Sequence, residues 1–490
     1  MKNLLAFIVL LNSLLLINST NLMAENMNSL HVSKNGRFLI HKDNSKFFPL
    51  VDTAWKIAWR LNRDEVEYYL QTRKEQKFNT ITLVVFPMSR TPTNVYGYQP
   101  FEIKKGKYDP LKPIIKTNKY DYWDHLEYII DSAAKKGIYV ILLPAWGSRI
   151  AGDWGDGRPR NDIILNMGNT SNYAYWISHR FKNYTNIIWM IGGDRSAVYG
   201  KYDYRAQFRA MAAGVLAGND NQPMLMSYHP RKWKPNSSEW FHNDKWLSFN
   251  SVQDEPSDQI KAIEFDYNLS PPKPTWLFEG GYEKRRQGNK IYTDWQMRLQ
   301  SYQTVFAGGF GIVYGHTDTH LFGEKLGGNV EKLKIENNKW EKNLHDPGTE
   351  QMQYLIKLMT LWSNEQYLER IPDQSLIDGD TGKMTGWQGY ISSVIQATRG
   401  SKGDYAMIYS ANGRNIRVNM NRLAAPKINA YWYNPRNGKW NVKDKEFTEQ
   451  KSFMKNIPSG KKAPIKEFDP PGKVANGNDW VLVLEKDQTR

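Results

Sequence analysis

Eight short apolar runs, each ending in polar or aromatic residues, constrain the fold of this chain more than any other feature. In order they are "LVDTAW", "FNTITLVVF", "IYVILLPAWG", "NIIWMIGGD", "MLMSYHP", "LSFNSVQD", "TWLFEGGYE" and "GGFGIVYGH". A run with no polar face has to be buried on both sides, as strands of parallel sheets are. Amphipathic helical stretches stand between the earlier runs, among them "RDEVEYYLQTRKEQK" and "YDYWDHLEYIIDSAAKKG". Parallel neighbours need such crossovers. Runs spaced at about the length of one βα unit predict a (β/α)8 TIM barrel over residues 25–375. An open doubly wound sheet is the competing arrangement. The dinucleotide fingerprint is absent, since "GGFGIVYG" lies inside a strand pattern and does not open a helix.

The pattern changes near residue 375. "GYISSVIQAT", "DYAMIYSANG", "INAYWYNPRNGKW" and "NDWVLVLEK" have period-two character and are punctuated by Asn, Gly, Asp and Pro. Residues 376–490 are therefore expected to form an antiparallel β-sandwich packed on the barrel, with a mainly structural role. Trp432 and Trp480 are among the apolar residues there that need a partner face.

The N-terminus reads as a secretory leader over residues 1–24, with Lys2 before an apolar run from Leu4 to Ile17 and a cut after Ala24. Asn12 and Ser13 interrupt that run, which makes it a poor membrane anchor, and no later stretch is long and apolar enough to span a bilayer. The protein is expected to be exported to a periplasm or the cell exterior. It has no cysteine, which excludes disulfides, thiolate catalysis and cysteine zinc sites. The 66 Lys and Arg outnumber the 50 Asp and Glu, leaving a formal charge of +16 that favours polyanionic partners. No basic helix gathers that charge, which argues against nucleic acid and for an acidic polysaccharide. The 18 Trp and 28 Tyr suit the same partner, because aromatic rings stack on the apolar faces of sugars.

Two carboxylates stand at matched positions. The fourth run ends in Gly192, Gly193 and Asp194, and the seventh ends in Glu279 followed by Gly280 and Gly281. The C-terminal lips of barrel strands are where such enzymes keep their chemistry, and strands four and seven end across the mouth from each other. One protonated and one ionised carboxyl is what glycosidic bond hydrolysis requires. A pairing of Asp194 with Arg195, or of Glu279 with Arg285, is the bland alternative. In a retaining enzyme the two carboxyls are expected about 5–5.5 Å apart. Asp194 is then the acid, kept protonated by a drier setting and the charge of Glu279, with Arg195 pointing away. Glu279 is the ionised partner, held by hydrogen bonds from Tyr282 or strand eight.

The chain resembles the apiosidase-like glycoside hydrolases (glycoside hydrolase family 140) with their appended C-terminal β-sandwich. "LVDTAW", "FNTI", "YVILLPAWG", "NIIWMIGGD", "SYHP", "SSEWFHNDKWL", "EGGYE", "GGFGIVYGH" and "NDWVLVL" match in that order. The resemblance implies a retaining mechanism with Asp194 as acid/base and Glu279 as nucleophile, acting on apiose-bearing side chains of the pectic polymer rhamnogalacturonan II. Two motifs depart from the family. Glu279 is followed by Gly280 where the family has proline, and "SVQDE" puts Gln253 and Asp254 where the family has Gln-Ser-Gly-His.

Around the pair, Asp52, Trp55, Trp146, His229, Gln253, Tyr282, Tyr314 and His316 are candidate sugar contacts. Glu283 is the rival nucleophile, or else orients its neighbours. "HTDTH" has a chelating spacing only if helical and lacks a third ligand, so no metal and no cofactor is expected. A non-catalytic glycan-binding barrel, a family hydrolase acting on another polysaccharide, and a polysaccharide lyase are the alternatives.

Overall fold

The structure, a computed structural model, describes residues 27–87, 93–152, 157–160, 162–231, 236–254, 259–287, 290–323, 340–385, 391–443 and 445–486. The leader expected at residues 1–24 lies outside them. Eight strands follow one another: β1 Leu50–Thr53, β2 Thr80–Val84, β3 Tyr139–Leu143, β4 Ile187–Gly192, β5 Met226–His229, β6 Asn250–Gln253, β7 Thr275–Glu279 and β8 Ile312–Tyr314. Each is succeeded by a helix: α1 Arg63–Glu75, α2 Tyr122–Lys135, α3 Thr170–Arg180, α4 Arg205–Gly218, α5 Ser237–Phe241, α6 Gln259–Tyr267, α7 Asp294–Phe306 and α8 Pro347–Met359. This is the (β/α)8 barrel succession, and an antiparallel sandwich domain follows it.

The chain forms two compact units, one centred on residues 54–228, the other made of residues 229–490 with 32–40 and 44–53. In the first, the strand order is β5-β4-β3-β2. β2 and β3 pair in parallel with Thr80 opposite Tyr139, and β3 pairs with β4 with Val140 opposite Ile187. All five residues of β3 are buried, which is why its sequence has no polar face. Capping boxes start α1 and α2: Asn62 accepts from Glu65 N while Glu65 accepts from Asn62 N, and Asp121 and Asp124 do the same for α2.

In the second unit, β8 pairs in parallel with β1, and β6 with β7. An eight-stranded antiparallel sheet then runs in the order β9-β10-β11-β18-β13-β14-β15, with β16 also on β13. Its strands are β9 Arg370–Pro372, β10 Ile395–Gly400, β11 Tyr405–Ser410, β13 Lys427–Asn434, β14 Lys439–Val442, β15 Lys445–Phe447, β16 Met454–Pro458 and β18 Trp480–Lys486. A separate pair, β12 (Ile416–Asn419) and β17 (Ile465–Phe468), closes the sandwich. The core between them holds Ile395, Ile408, Trp432, Trp480 and Leu482 against Ile416, Val418 and Phe468. Trp432 and Trp480 are thus interior to the sandwich and do not carry its contact with the barrel.

That contact falls on α7, which is buried at every position from Trp295 to Phe306. The ring of Tyr302 stacks on Tyr409 of β11 at 5.0 Å, and Trp295 Nε1 donates to the Ala411 carbonyl at 2.9 Å. Arg298 meets Asp479 through two bonds of 2.9 and 2.8 Å, both side chains being fully buried. A helix covered all round leaves its polar residues to find partners inside the protein, as Trp295, Arg298, Gln300 and Thr304 do, whereas Tyr302 Oη and the Gln303 amide have none among the described residues. No helix among the described residues is long and apolar enough to cross a membrane.

Candidate active site

In the first unit the end of β4 makes a sharp turn. Gly192 and Gly193 have φ of 90° and 130°, and Asp194 follows in the left-handed region at φ 54°. A Cβ on Gly193 would lie 2.8 Å from Gly147 N and 2.9 Å from the Trp146 ring, so only glycine lets this lip pass under the loop after β3. Gly147 N donates to Gly193 O at 3.2 Å and ties the two loops together. A non-glycine residue with positive φ is uncommon, and its presence here marks a position the surroundings impose.

Arg195 does not point away from Asp194. Its Nη1 donates to the Asp194 carbonyl at 2.8 Å and stands 3.9 Å from the Asp194 carboxylate. The left-handed turn presents that carbonyl to the guanidinium, and Tyr228 Oη fixes the Arg195 carbonyl at 2.7 Å. Nor is Asp194 the drier carboxyl: its side chain is 29% exposed, against 17% for Glu279. Beside this lip, Trp146 is half-buried and packs edge-on against the buried Trp55 at 5.3 Å.

In the second unit Glu279 closes β7 with both oxygens held. His229 Nε2 lies 2.9 Å from Oε2, and Tyr282 Oη donates to Oε1 at 2.9 Å. His229 Nδ1 in turn faces the Pro230 carbonyl at 2.9 Å, which fixes the ring in place. Burial acts to raise the Glu279 pKa. The hydrogen bond and charge of His229, the Tyr282 hydroxyl and the charge of His320 outweigh it and hold the carboxyl below its ordinary value. His229 is fully buried, so its partner is Glu279 and not solvent.

A register shift between Val252 and Gln253 sets Gln253 opposite Glu279 itself. The side chain is buried, and its Oε1 has no protein partner among the described residues. Tyr282 is clamped from behind, its ring against His320 at 4.7 Å and against Gly315, where a Cβ would come within 2.2 Å.

The remaining candidates form a second, buried knot. Glu283 accepts from Tyr314 Oη and from Gly348 N at 2.9 Å, in the first turn of α8, and burial raises its pKa. Gly348 is needed there, since a Cβ would sit 2.4 Å from the Glu283 carboxyl. Thr349 donates to Tyr314 Oη at 2.6 Å. His316 is buried with both nitrogens engaged, Nε2 on Asp346 at 2.8 Å and Nδ1 receiving Asp318 N at 3.1 Å. Asp52 is fully buried at the end of β1, in register with Tyr314.

In the sequence His320 stands only as a chelating partner of His316, a reading set aside there, and its place beside Tyr282 is missed. The His316–His320 spacing reflects a turn in which His320 Nδ1 donates to the His316 carbonyl at 2.7 Å. No group of side chains able to hold a metal ion is found among the described residues.

The model of the apiosidase-like catalytic domain matches residues 33–365, and that of a putative collagen-binding domain of a collagenase matches residues 371–485. A solved structure described as a glycoside hydrolase is 30% identical, with a TM-score of 0.77 over 94% of this chain and 98% of its own. A glycoside hydrolase assigned to family 5 from Bacteroides vulgatus ATCC 8482 is 30% identical, with a TM-score of 0.76 over 94% of this chain and 93% of its own. No relative is found among curated proteins. A catalytic-domain match over most of the chain, joined to whole-length likeness to glycoside hydrolases, makes the protein a glycosidase that belongs to the apiosidase-like family.

Proposed function

We propose that the protein is an exported, retaining glycosidase that releases apiose-type side chains from rhamnogalacturonan II, an acidic pectic glycan. Asp194 serves as acid/base and Glu279 as nucleophile. The observation that carries the reading is the state of Glu279. A carboxylate held ionised by His229 and Tyr282 at the end of β7 is equipped to attack an anomeric carbon. Asp194 is the more exposed of the two and has Arg195 beside it. Gln253 Oε1, buried and without a protein partner among the described residues, is an acceptor suited to a sugar hydroxyl. Trp146 offers the stacking surface. Chromatography of sugars released from rhamnogalacturonan II oligosaccharides tests the reading: free apiose is expected, and its absence alongside another released sugar would move the protein to a different glycan. The Gln253–Asp254 lip favours that second outcome over loss of activity, because it changes a contact and leaves the carboxylates in place.

Two further results are expected. Removing His229 removes the largest influence that lowers the Glu279 pKa, so His229→Phe should move the acidic limb of the kcat/KM profile to higher pH. An unmoved limb would take His229 out of the nucleophile's environment. Trp146→Ala should raise KM about fivefold, the effect of one lost stacking contact of ~1 kcal/mol, with little change in folding. Trp55→Ala should instead cost about 3–5 kcal/mol of stability, because that ring is buried. Urea unfolding alongside kinetics separates the two.

A further inference from the structure

The outer face of the C-terminal sheet forks at one point. On the same edge of β13, Trp432 begins the pairing with β14 and Ala430 ends the pairing with β16, leaving Tyr431 between them. A register shift between Ile428 and Ala430 widens the split, and Asn429 Oδ1 accepts from Asn456 N there at 3.1 Å. Bulges of this kind re-aim side chains and recur beside binding sites. Asn429, Tyr431 and Tyr433 alternate with the core residues Ala430 and Trp432 and so face outward. Tyr433 is buried, its hydroxyl on the Tyr354 carbonyl at 2.8 Å, whereas Tyr431 stays half-buried with its ring set edge-on against Trp440 at 5.7 Å.

A cavity of about 430 Å³ lies over Tyr431, walled by Asn429, Gln450, Lys451, Lys455 and Lys486. That volume falls within the range of small-ligand sites. Among the described residues Glu485 is the one acidic residue lining it, and its carboxylate already accepts from Gln450 at 2.9 Å. Lys451 lays its ammonium over the Phe447 ring at 4.2 Å. Three lysines, one aromatic ring and neutral amides thus line a site of net positive charge with a stacking platform. Carboxylates supply the missing charge, and a sugar ring supplies the flat apolar face.

We infer that this fork is a second glycan site, one that holds a uronate-bearing oligosaccharide on the C-terminal domain. It gives that domain a binding role in place of a purely structural one, and it rests on the proposed acidic substrate. A site so placed raises the effective concentration of an anionic polymer around the enzyme without taking part in hydrolysis.

The test is calorimetric titration of the full-length Glu279→Gln protein with a galacturonate hexamer and, separately, with maltohexaose. The hexamer should bind, more weakly at high salt, and maltohexaose should not. Tyr431→Ala should weaken hexamer binding by about fivefold to tenfold, the effect of a lost stacking contact. A Lys451→Gln, Lys455→Gln, Lys486→Gln triple variant should weaken it further and serves if Tyr431→Ala fails to fold. In the otherwise wild-type enzyme, both variants should leave turnover of a small activated glycoside unchanged. Hexamer binding that neither variant weakens, or no hexamer binding at all, would overturn the site even if hydrolysis is confirmed. Groove-dependent binding by a wild-type protein that turns over no glycoside would keep the site and remove the proposed hydrolysis of an acidic glycan.

Discussion

Glu279→Gln is expected to lower turnover by at least about a thousandfold, the loss typical when a nucleophile is removed from an otherwise intact site. The amide keeps the shape of the side chain and its place between His229 and Tyr282, so folding should be unaffected. Asp194→Asn should behave differently. A substrate with a good leaving group needs no proton in the first step, so such substrates should be slowed far less than natural glycosides. The contrast between substrates distinguishes an acid/base from a residue that merely shapes the mouth. Equal losses on both kinds of substrate would assign Asp194 to binding. Glu283→Gln supplies the control. Its carboxyl is spent on Tyr314 and the first turn of α8, so it should change stability before it changes chemistry.

The barrel strands were legible because burial on both faces leaves a sequence no room for a polar stripe. Tyr139–Leu143 is apolar at each step and buried at each step. The positions of Asp194 and Glu279 at strand ends followed from the glycines after those runs. What the sequence could not convey were contacts made across long separations. His229 has the look of a sugar contact at a strand lip, yet it lies buried against a carboxylate 50 residues further on. Among the described residues Glu283 has no arginine in its hydrogen-bonding set. Its partners are a tyrosine hydroxyl 31 residues away and a backbone amide 65 residues away, and an amide leaves no trace in side-chain chemistry. Arg195 turned toward Asp194 for a reason of backbone conformation, the left-handed turn, which composition does not announce. Tyr431 reads as one more aromatic of a sandwich strand. Only the fork in the sheet makes it different.

The second large effect is expected far from the chemistry. Arg298 and Asp479 are buried together between α7 and β18, and Arg298 also holds Asp294 at 2.7 Å. Removing one partner strands the other charge in a dry place, which typically costs about 3–5 kcal/mol. Asp479→Leu or Arg298→Met should therefore lower the urea midpoint sharply. The double variant should recover part of the loss, because no fully buried charge is left unpaired and Asp294, which also loses Arg298, is partly open to water. The stranded-charge account predicts that coupling between the two positions. If the double variant is as unstable as the sum of the singles, the pair contributes through packing alone. Both variants also test whether the barrel needs its C-terminal domain, since two residues beyond Arg298 the same helix holds the segment after β7. Gln300 of α7 accepts from Gly281 N at 2.9 Å, two residues beyond Glu279.

The claim on which the account rests is that Glu279 attacks the sugar and forms a covalent glycosyl–enzyme intermediate. Incubating the Asp194→Asn enzyme with an activated, fluorinated apioside, followed by peptide mass mapping, tests it most directly. The account predicts one added glycosyl unit, carried by the peptide of residues 275–284 and fragmenting to Glu279. A label fragmenting to Glu283, or complete turnover with no adduct and inverted product, would contradict it.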